Sequence, residues 1–387
     1  MESETKAFLS GNEAVARAVR LARPHVIAAY PITPQTTVIE RLAEMVEEES
    51  LKSEYLHVES EHSALSACIG SSAVGARTFT ATSSQGLLYM AECLHYASGG
   101  RFPIVMMNAN RSVALPWNIY GDQRDSLSLL DCGWIQVYAE DAQESLDLVL
   151  QAYAIAEHPE VLTPMMINLD GFVITHTYEL VNVPGQREID LFLPPFNTTN
   201  KMDFDSPRSL AFTAGPAYNQ AFKQLQHLAM VKASKVIGDV EERFGRLVGR
   251  NYPGLIETLY CEDAEYIIVT LGSVAGTIRP VIEKLRSGGE RVGLVRIRYM
   301  RPFPDAEIRR ALAGAAAVGV LEKDISFGFE GTVFTNVSSA LMRAQVVPPR
   351  LLNFVGGLGG KDISAADIEL IFKRLKKSEP GETVEFI

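Results

Sequence analysis

Cysteine is scarce in this chain. The four thiols, Cys68, Cys93, Cys132 and Cys261, include no pair with the short spacing of a zinc or iron–sulfur site. They are expected to be free core thiols, with no metal held by this chain. If electrons move through its reaction, the metal clusters lie on another chain. No apolar run reaches the roughly 18 residues needed to span a bilayer. The opening "MESETKAFLSGNEAV" has no basic start followed by an apolar segment, so no signal peptide is expected and a cytoplasmic location is the default. Positive charge is also short. Lys and Arg number 36 against 47 Asp and Glu, and the net charge of −11 argues against nucleic acid or an anionic membrane as the main partner. What is present is ample: 387 residues, 47% hydrophobic and 21% charged, enough for a globular protein of two or three domains.

The N-terminal half alternates between short apolar runs and segments of helical period. "HVIAAY", "YLHVES", "RTFTAT", "PIVMMNANR", "WIQVYAE" and "TPMMINLDG" read as strands. Between them lie helical segments: "TTVIERLAEMVEE", "EHSALSACIGSSAVGA", a turn and helix in "SSQGLLYMAECLHYASGG", and "AQESLDLVLQAYAIAEH". A helix from Ser10 to Ala22, capped by Ser10 or Asn12, comes first. Such alternation predicts a parallel sheet with helices on both faces. Leu191 to Gly215 is rich in Pro, Asn and Thr and reads as a surface connection. Ala217 to Arg250 reads as a long helix with Val236, Val240 and Phe244 on one side. A second strand–helix–strand unit begins at "YIIVTLGSVAG". The expected organisation is an α/β domain over residues 1–215, a helical connector over 216–255 and a smaller α/β domain over 256–387.

Ligands of parallel sheets sit at the carboxyl ends of strands, and three polar segments fall there. The first is "YPITP", in which Pro31 and Pro34 restrain Ile32 and Thr33. A hydroxyl held in this way suits a ligand oxygen; the plain alternative is a helix start, with Thr33 as cap and Pro34 at the first helical position. The second is "HVESEHSA", where a carboxylate at a helix N-terminus is stabilised by the dipole, so the plain reading of Glu59 or Glu61 is a helix cap. The third is "NANRSVALPWNIYGDQRD": Arg111 ends a strand and suits a carboxylate, or else a surface ion pair, and "GDQRD" reads as a polar turn. Ser83, Ser84, Gln85 and Gly86 offer backbone N–H groups to an anion at a helix start. "GGLGG", Gly356 to Gly360, lacks the Lys-Ser/Thr pair of a phosphate loop and reads better as a flexible turn.

Taken in order, "YPITP", "VESEHSA", "TATSSQGL", "NRSVALPWNIYGDQRD", "NLDGFVITHTYE" and "RPFP" resemble the α subunit of 2-oxoacid:ferredoxin oxidoreductases, the pyruvate synthase family, over nearly the whole chain. The resemblance implies a thiamine-diphosphate pyrimidine-binding domain joined to a transketolase-C-like domain. It implies thiamine diphosphate shared with a β subunit that holds the Mg²⁺ and the diphosphate, for which no "GDG…N" motif is present here. Iron–sulfur clusters would lie on partner subunits of β, γ and δ type, and ferredoxin or another acceptor would take the electrons. Coenzyme A would be co-substrate in the oxidative decarboxylation of a small 2-oxoacid.

Residue by residue, the resemblance implies that Glu61 hydrogen-bonds the aminopyrimidine N1′ and favours the tautomer that takes the C2 proton. Thr33 would contact the substrate carboxylate or carbonyl, and Arg111 would pair with the carboxylate. Tyr30, Pro31, Ser84 and Gln85 would border the cofactor, and Ile32, Asn118, Asp122 and Leu130 the substrate pocket. Two departures bear on the substrate. Leu130 stands where many pyruvate-type sequences have an arginine, and "IYGDQRD" lacks the usual histidine of "DHSD" or "DHQD". Pyruvate is the first expectation. Bulkier acids such as 2-oxoisovalerate or phenylglyoxylate, with NAD as final acceptor, are the alternative, and a non-catalytic scaffold subunit is the alternative of another class.

Overall fold

The computed structural model describes residues 5–207, 209–210, 213–343, 348–377 and 384–387. The N-terminal half supplies eight strands: β1 (Thr5–Ser10), β2 (Val26–Ala29), β3 (Glu54–His57), β4 (Thr78–Thr82), β5 (Val105–Asn110), β6 (Ile135–Tyr138), β7 (Met165–Asp170) and β8 (Tyr178–Val183). The C-terminal part adds β9 (Ile256–Leu259), β10 (Tyr266–Leu271), β11 (Val292–Ile297), β12 (Tyr299–Arg301), β13 (Ala317–Glu322), β14 (Leu351–Val355) and β15 (Val384–Phe386).

Six strands of the N-terminal half form one parallel sheet, in the order β6-β7-β5-β4-β2-β3. β4, β5, β6 and β7 are buried along their whole length, as strands covered on both faces of a parallel sheet are. The α/β expectation holds for both halves, because β10, β11, β13, β14 and β15 make a second, mostly parallel sheet, edged by antiparallel β9. Two features are not visible in the alternating pattern. β1 and β8 pair as a separate antiparallel ribbon. β12, which follows β11 closely in sequence, leaves that sheet and adds an antiparallel edge to the first one beside β6.

The first helix, Gly11–Ala22, is capped by Ser10 in a reciprocal box with Glu13. Asn12 serves the neighbouring turn instead, where its amide donates to the Pro34 carbonyl at 2.7 Å. The long helix spans Pro216–Val248 and buries Val236, Val240 and Phe244. A break at Met90 divides the segment after β4 into two helices, Ser84–Tyr89 and Ala91–Gly99. All four cysteines are free thiols, three of them buried.

Charged pairs fasten the two halves. Glu144 accepts from Arg296 Nη1 at 2.7 Å and from Arg298 Nε at 2.8 Å, and Arg298 reaches Glu241 on the long helix. Asp170, at the end of β7, accepts from Ser273 N at 2.9 Å and from Lys323 Nζ at 3.1 Å. Burial opposes charge on Asp170, yet Lys323 and Ser273 hold its carboxyl below the ordinary carboxylate range.

Candidate active site

From β2 the chain crosses to β3 on one side, then returns past β2 to β4 on the other. Such a reversal marks the carboxyl ends of these strands as the crevice position at which parallel sheets bind ligands. Four segments reach it: Tyr30 to Pro34 after β2, Ser60 and Glu61 after β3, Ser83 to Gly86 after β4, and Arg111 after β5.

The turn after β2 is braced from inside. Buried Gln35 donates to the carbonyls of Tyr30 at 2.9 Å and Ala81 at 3.0 Å, while Gln35 N–H donates to Ile32 at 2.9 Å. The helix begins only at Thr36, so the reading of Thr33 as cap with Pro34 at the first helical position is overturned. Asn12 and Gln35 take up the main-chain groups of the turn, which needs no helical continuation there. Thr33 is exposed, Ile32 half-buried and Pro31 exposed.

Arg111 is 5% exposed. Its Nη1 donates to the Thr33 carbonyl at 2.7 Å and its Nη2 to Gln85 Oε1 at 3.0 Å. The surface-pair alternative is therefore excluded. Burial lowers the pKa of Arg111, against the nearby carboxylates of Asp125 and Glu61. Arg111 Nε and Gln85 Nε2 are buried without a hydrogen-bond partner among the described residues. Leaving such donors unpaired costs about 1–3 kcal/mol each, so an acceptor brought by a ligand is favoured here.

Glu61 is the first residue of the helix Glu61–Ala73, and Ser60, not a glutamate, is the cap. The Ser60 hydroxyl accepts from Ser63 N at 3.2 Å, and Glu59 is occupied by the Ser63 hydroxyl. No described residue donates a hydrogen bond to the Glu61 carboxylate. That carboxylate lies against Gly86: a Cβ there would stand 2.5 Å from Glu61 Oε1 and 2.7 Å from Thr82 Oγ1.

Two of the four backbone N–H groups from Ser83 to Gly86 are already engaged within the chain. Ser84 N–H donates to Asp125 Oδ2 at 3.0 Å, and Gly86 N–H to the Ser83 carbonyl at 2.9 Å. Asp125 corrects the reading of "GDQRD" as a plain polar turn. It is fully buried at the start of the short helix Arg124–Leu127. Burial pushes its carboxyl up to about 6, while hydrogen bonds from Asn110, Arg111, Ser126 and Ser84 work the other way. The signal for it lay in "MMNANR", where two asparagines in a buried strand need partners.

The remaining pocket candidates have partners of their own, and the Asn118 carbonyl accepts from the hydroxyl of Ser112, next to Arg111, at 3.3 Å. Asn118 Nδ2 donates to the Gly359 carbonyl at 2.8 Å, and Gly359 N–H donates to buried Asp122 at 3.0 Å. The "GGLGG" turn is thus a docking point for the loop after β5 rather than a flexible linker. Asp122 also takes both Arg124 Nε and Nη2. Leu130 is 7% exposed and packs in an apolar cluster with Leu127, Tyr138, Ile297 and Met300. Beside this seam opens a cavity of about 450 Å³, lined by Tyr120, Asp170, Ser273, Lys323 and Lys361, and it includes none of Thr33, Glu61 or Arg111. Among the described residues, no group of three or more His, Cys, Asp or Glu could hold a metal ion, and no helix is long and apolar enough to cross a membrane.

Residues 17–242 match the family described as pyruvate flavodoxin/ferredoxin oxidoreductase, thiamine-diphosphate-binding, a stretch that contains every strand-end residue above. The chain belongs to this family. Residues 264–368 match core domain II of pyruvate:ferredoxin oxidoreductase. Pyruvate synthase subunit PorA of Methanothermobacter thermautotrophicus is 46% identical over 375 residues, covering 97% of this chain and 96% of the relative. Ketoisovalerate oxidoreductase subunit VorA of Pyrococcus abyssi is 44% identical over 373 residues, covering 96% and 94%. Among solved structures, 2-oxoglutarate:ferredoxin oxidoreductase from Magnetococcus marinus, with 2-oxoglutarate, coenzyme A and succinyl-CoA bound, has a TM-score of 0.72 at 20% identity. That match covers 96% of this chain and 65% of the other. An inactive split-gene transketolase matches with a TM-score of 0.55 at 13% identity, covering 95% and 98%. These two likenesses show the fold.

The pyruvate flavodoxin/ferredoxin oxidoreductase family implies thiamine diphosphate, and the residues present fit it. The Glu61 carboxylate has no donor among the described residues, and it packs directly against Gly86, where any Cβ would crowd it. Thr82 Oγ1, Ser83 Oγ and Gln85 Nε2 are buried without partners among the described residues.

Proposed function

We propose that this chain is the α subunit of a thiamine-diphosphate-dependent 2-oxoacid:acceptor oxidoreductase that converts a 2-oxoacid and coenzyme A to acyl-CoA, carbon dioxide and low-potential electrons. The observation that carries the reading is the Glu61 carboxylate, held at a helix start against Gly86, with no donor among the described residues, on the same strand-end face as Arg111. Thiamine diphosphate, when bound, would supply the nucleophilic carbon and the electron sink for decarboxylation. Glu61 accepts a hydrogen bond from the aminopyrimidine N1′ and so sets its tautomer. Arg111 spends two of its five N–H donors on Thr33 and Gln85, and the rest receive the substrate carboxylate. The Thr33 hydroxyl, held between two prolines, donates to the same acid.

A β-type partner holds the Mg²⁺ and the diphosphate, and iron–sulfur clusters on partner subunits take the electrons. The exposed loop after β5 supports a partner at this face, because Leu115 and Trp117 are 86% and 68% exposed beside the site. Pyruvate is the favoured substrate. The VorA likeness, nearly as high as that to PorA, keeps the bulkier 2-oxoisovalerate as a second reading. The test is a 2-oxoacid screen on the assembled complex with a viologen acceptor, comparing pyruvate, 2-oxoisovalerate and phenylglyoxylate. Dye reduction that needs both coenzyme A and a 2-oxoacid is the expected result. No turnover with any 2-oxoacid, in a complex that retains thiamine diphosphate, would leave a scaffold subunit as the reading.

A further inference from the structure

Asp125 touches neither Thr33 nor Glu61, yet it fixes the main chain on two sides of the crevice. Its Oδ2 accepts the Ser84 N–H at 3.0 Å, the Arg111 N–H at 3.1 Å and the Asn108 amide at 3.3 Å. Its Oδ1 accepts the Ser126 N–H and the Asn110 amide, both at 2.7 Å. Every one of these neighbours is a donor, so only a carboxylate satisfies them all.

The contacts close into a ring. Ser84 is joined by the chain to Gln85, whose Oε1 accepts from Arg111 Nη2 at 3.0 Å, and Arg111 returns through its own N–H to Asp125. Ser84 holds a φ of +52°, unusual for a residue other than glycine, and its hydroxyl lies 2.6 Å from the Ser112 carbonyl. Such a conformation costs on the order of 1–3 kcal/mol and persists where surrounding contacts over-determine it. The Asp125 contact is one of those constraints. Asn108 extends the anchoring inward to Asn168 on β7, and Asn110 extends it to Ser126 and, beyond, to the Tyr138 hydroxyl.

We propose that Asp125 is a positioning residue for the 2-oxoacid, holding Ser84 and Arg111 in register so that Gln85 and the Thr33 carbonyl aim the guanidinium. The inference rests on the reading of Arg111 as the group that receives the substrate carboxylate. A neutral amide in place of Asp125 has one accepting atom, so it leaves either the Ser84 and Arg111 side or the Ser126 side facing a second donor. A buried polar group unmatched in this way moves until it finds a partner.

The experiment compares Asp125→Asn, Arg111→Ala and the double variant in the assembled complex, with KM for pyruvate and for coenzyme A read separately. Asp125→Asn should raise the KM for pyruvate about tenfold, the scale of a charge-assisted hydrogen bond weakened to a neutral one, with the KM for coenzyme A unchanged. The double variant should be no worse than Arg111→Ala alone, since the two act through one group. Multiplying effects, or an equal rise in both KM values, would overturn the positioning role. If Arg111→Ala leaves the pyruvate KM unchanged, the carboxylate reading itself falls. Should Asp125→Asn fail to assemble, Gln85→Ala cuts the ring at its opposite point. A pyruvate-specific rise that merges with that of Arg111→Ala supports the ring, and no rise refutes it.

Discussion

The guanidinium of Arg111 grips the main-chain carbonyl of Thr33 at 2.7 Å, across 78 positions of sequence. The two residues therefore act as one unit before any substrate arrives. The Thr33 carbonyl contact does not depend on the Thr33 side chain, so the contributions of the two residues can be separated by mutation.

Arg111→Ala should raise the KM for the 2-oxoacid by about 2–5 kcal/mol in binding terms, the cost of truncating one side of a buried charged pair. Arg111→Lys should recover part of it, because a point charge replaces a planar fork. Thr33→Val should cost about 1–2 kcal/mol, since it removes one hydroxyl donor and keeps the carbonyl. Measuring kcat/KM for pyruvate and 2-oxoisovalerate across the three variants checks this. Arg111 would belong to the side-chain pocket if its loss changed preference between the two acids and left affinity alone.

Glu61→Gln should keep the fold, because no described residue donates to the carboxylate, and should slow cofactor C2 proton exchange at least about a thousandfold. Gly86→Ala is the complementary probe. Its Cβ would stand 2.5 Å from Glu61 Oε1, which must shift. A displacement near 1 Å is enough for a loss of roughly a hundredfold. C2 exchange followed by NMR in the assembled complex reads both, and a near-normal rate in Glu61→Gln would remove Glu61 from the cofactor.

Leu130→Ala should act on stability rather than on substrate choice. The side chain is buried among Leu127, Tyr138, Ile297 and Met300, and emptying such a site costs about 2–5 kcal/mol. A lowered Tm with an unchanged ratio of pyruvate to 2-oxoisovalerate turnover is expected. An altered ratio at unchanged Tm would restore Leu130 to the substrate wall.

Glu144 joins the two halves and should govern their acid stability. Burial raises its pKa, but Arg296 and Arg298 outweigh burial and hold it at about 2, below the ordinary 4.5. The depressed value means that its contribution is complete above pH 4.5 and is lost as pH falls toward 2. Glu144→Gln should cost about 3–5 kcal/mol at neutral pH, because it leaves two buried guanidiniums short of their counter-charge. It should also flatten the stability curve over that acid window. Denaturant melts from about pH 2.5 to 7 decide it, and an unchanged acid slope would show that the carboxylate titrates without coupling to folding.

The sequence by itself determined the local periods, and with them the parallel sheets and the strand ends at which Thr33, Glu61 and Arg111 stand. Hydrophobic alternation and helix caps act over a few residues, so Ser10 and the run from Val105 to Asn110 are readable without any partner. The start of the second helix is not readable in that way, because the groups that complete the Pro34 turn are the side chains of Asn12 and Gln35, one of them 22 positions away. Separation along the chain also hides Asp125. In sequence it is one more polar residue in a loop, and only folding surrounds it with donors from two distant segments, the turn after β4 and the end of β5. Tertiary structure also took β12 into the first sheet and buried Leu130, since edge pairing and core packing depend on what lies beside a residue in space. Burial makes unmatched polar groups costly, so the buried anchors of the site were decided by the fold.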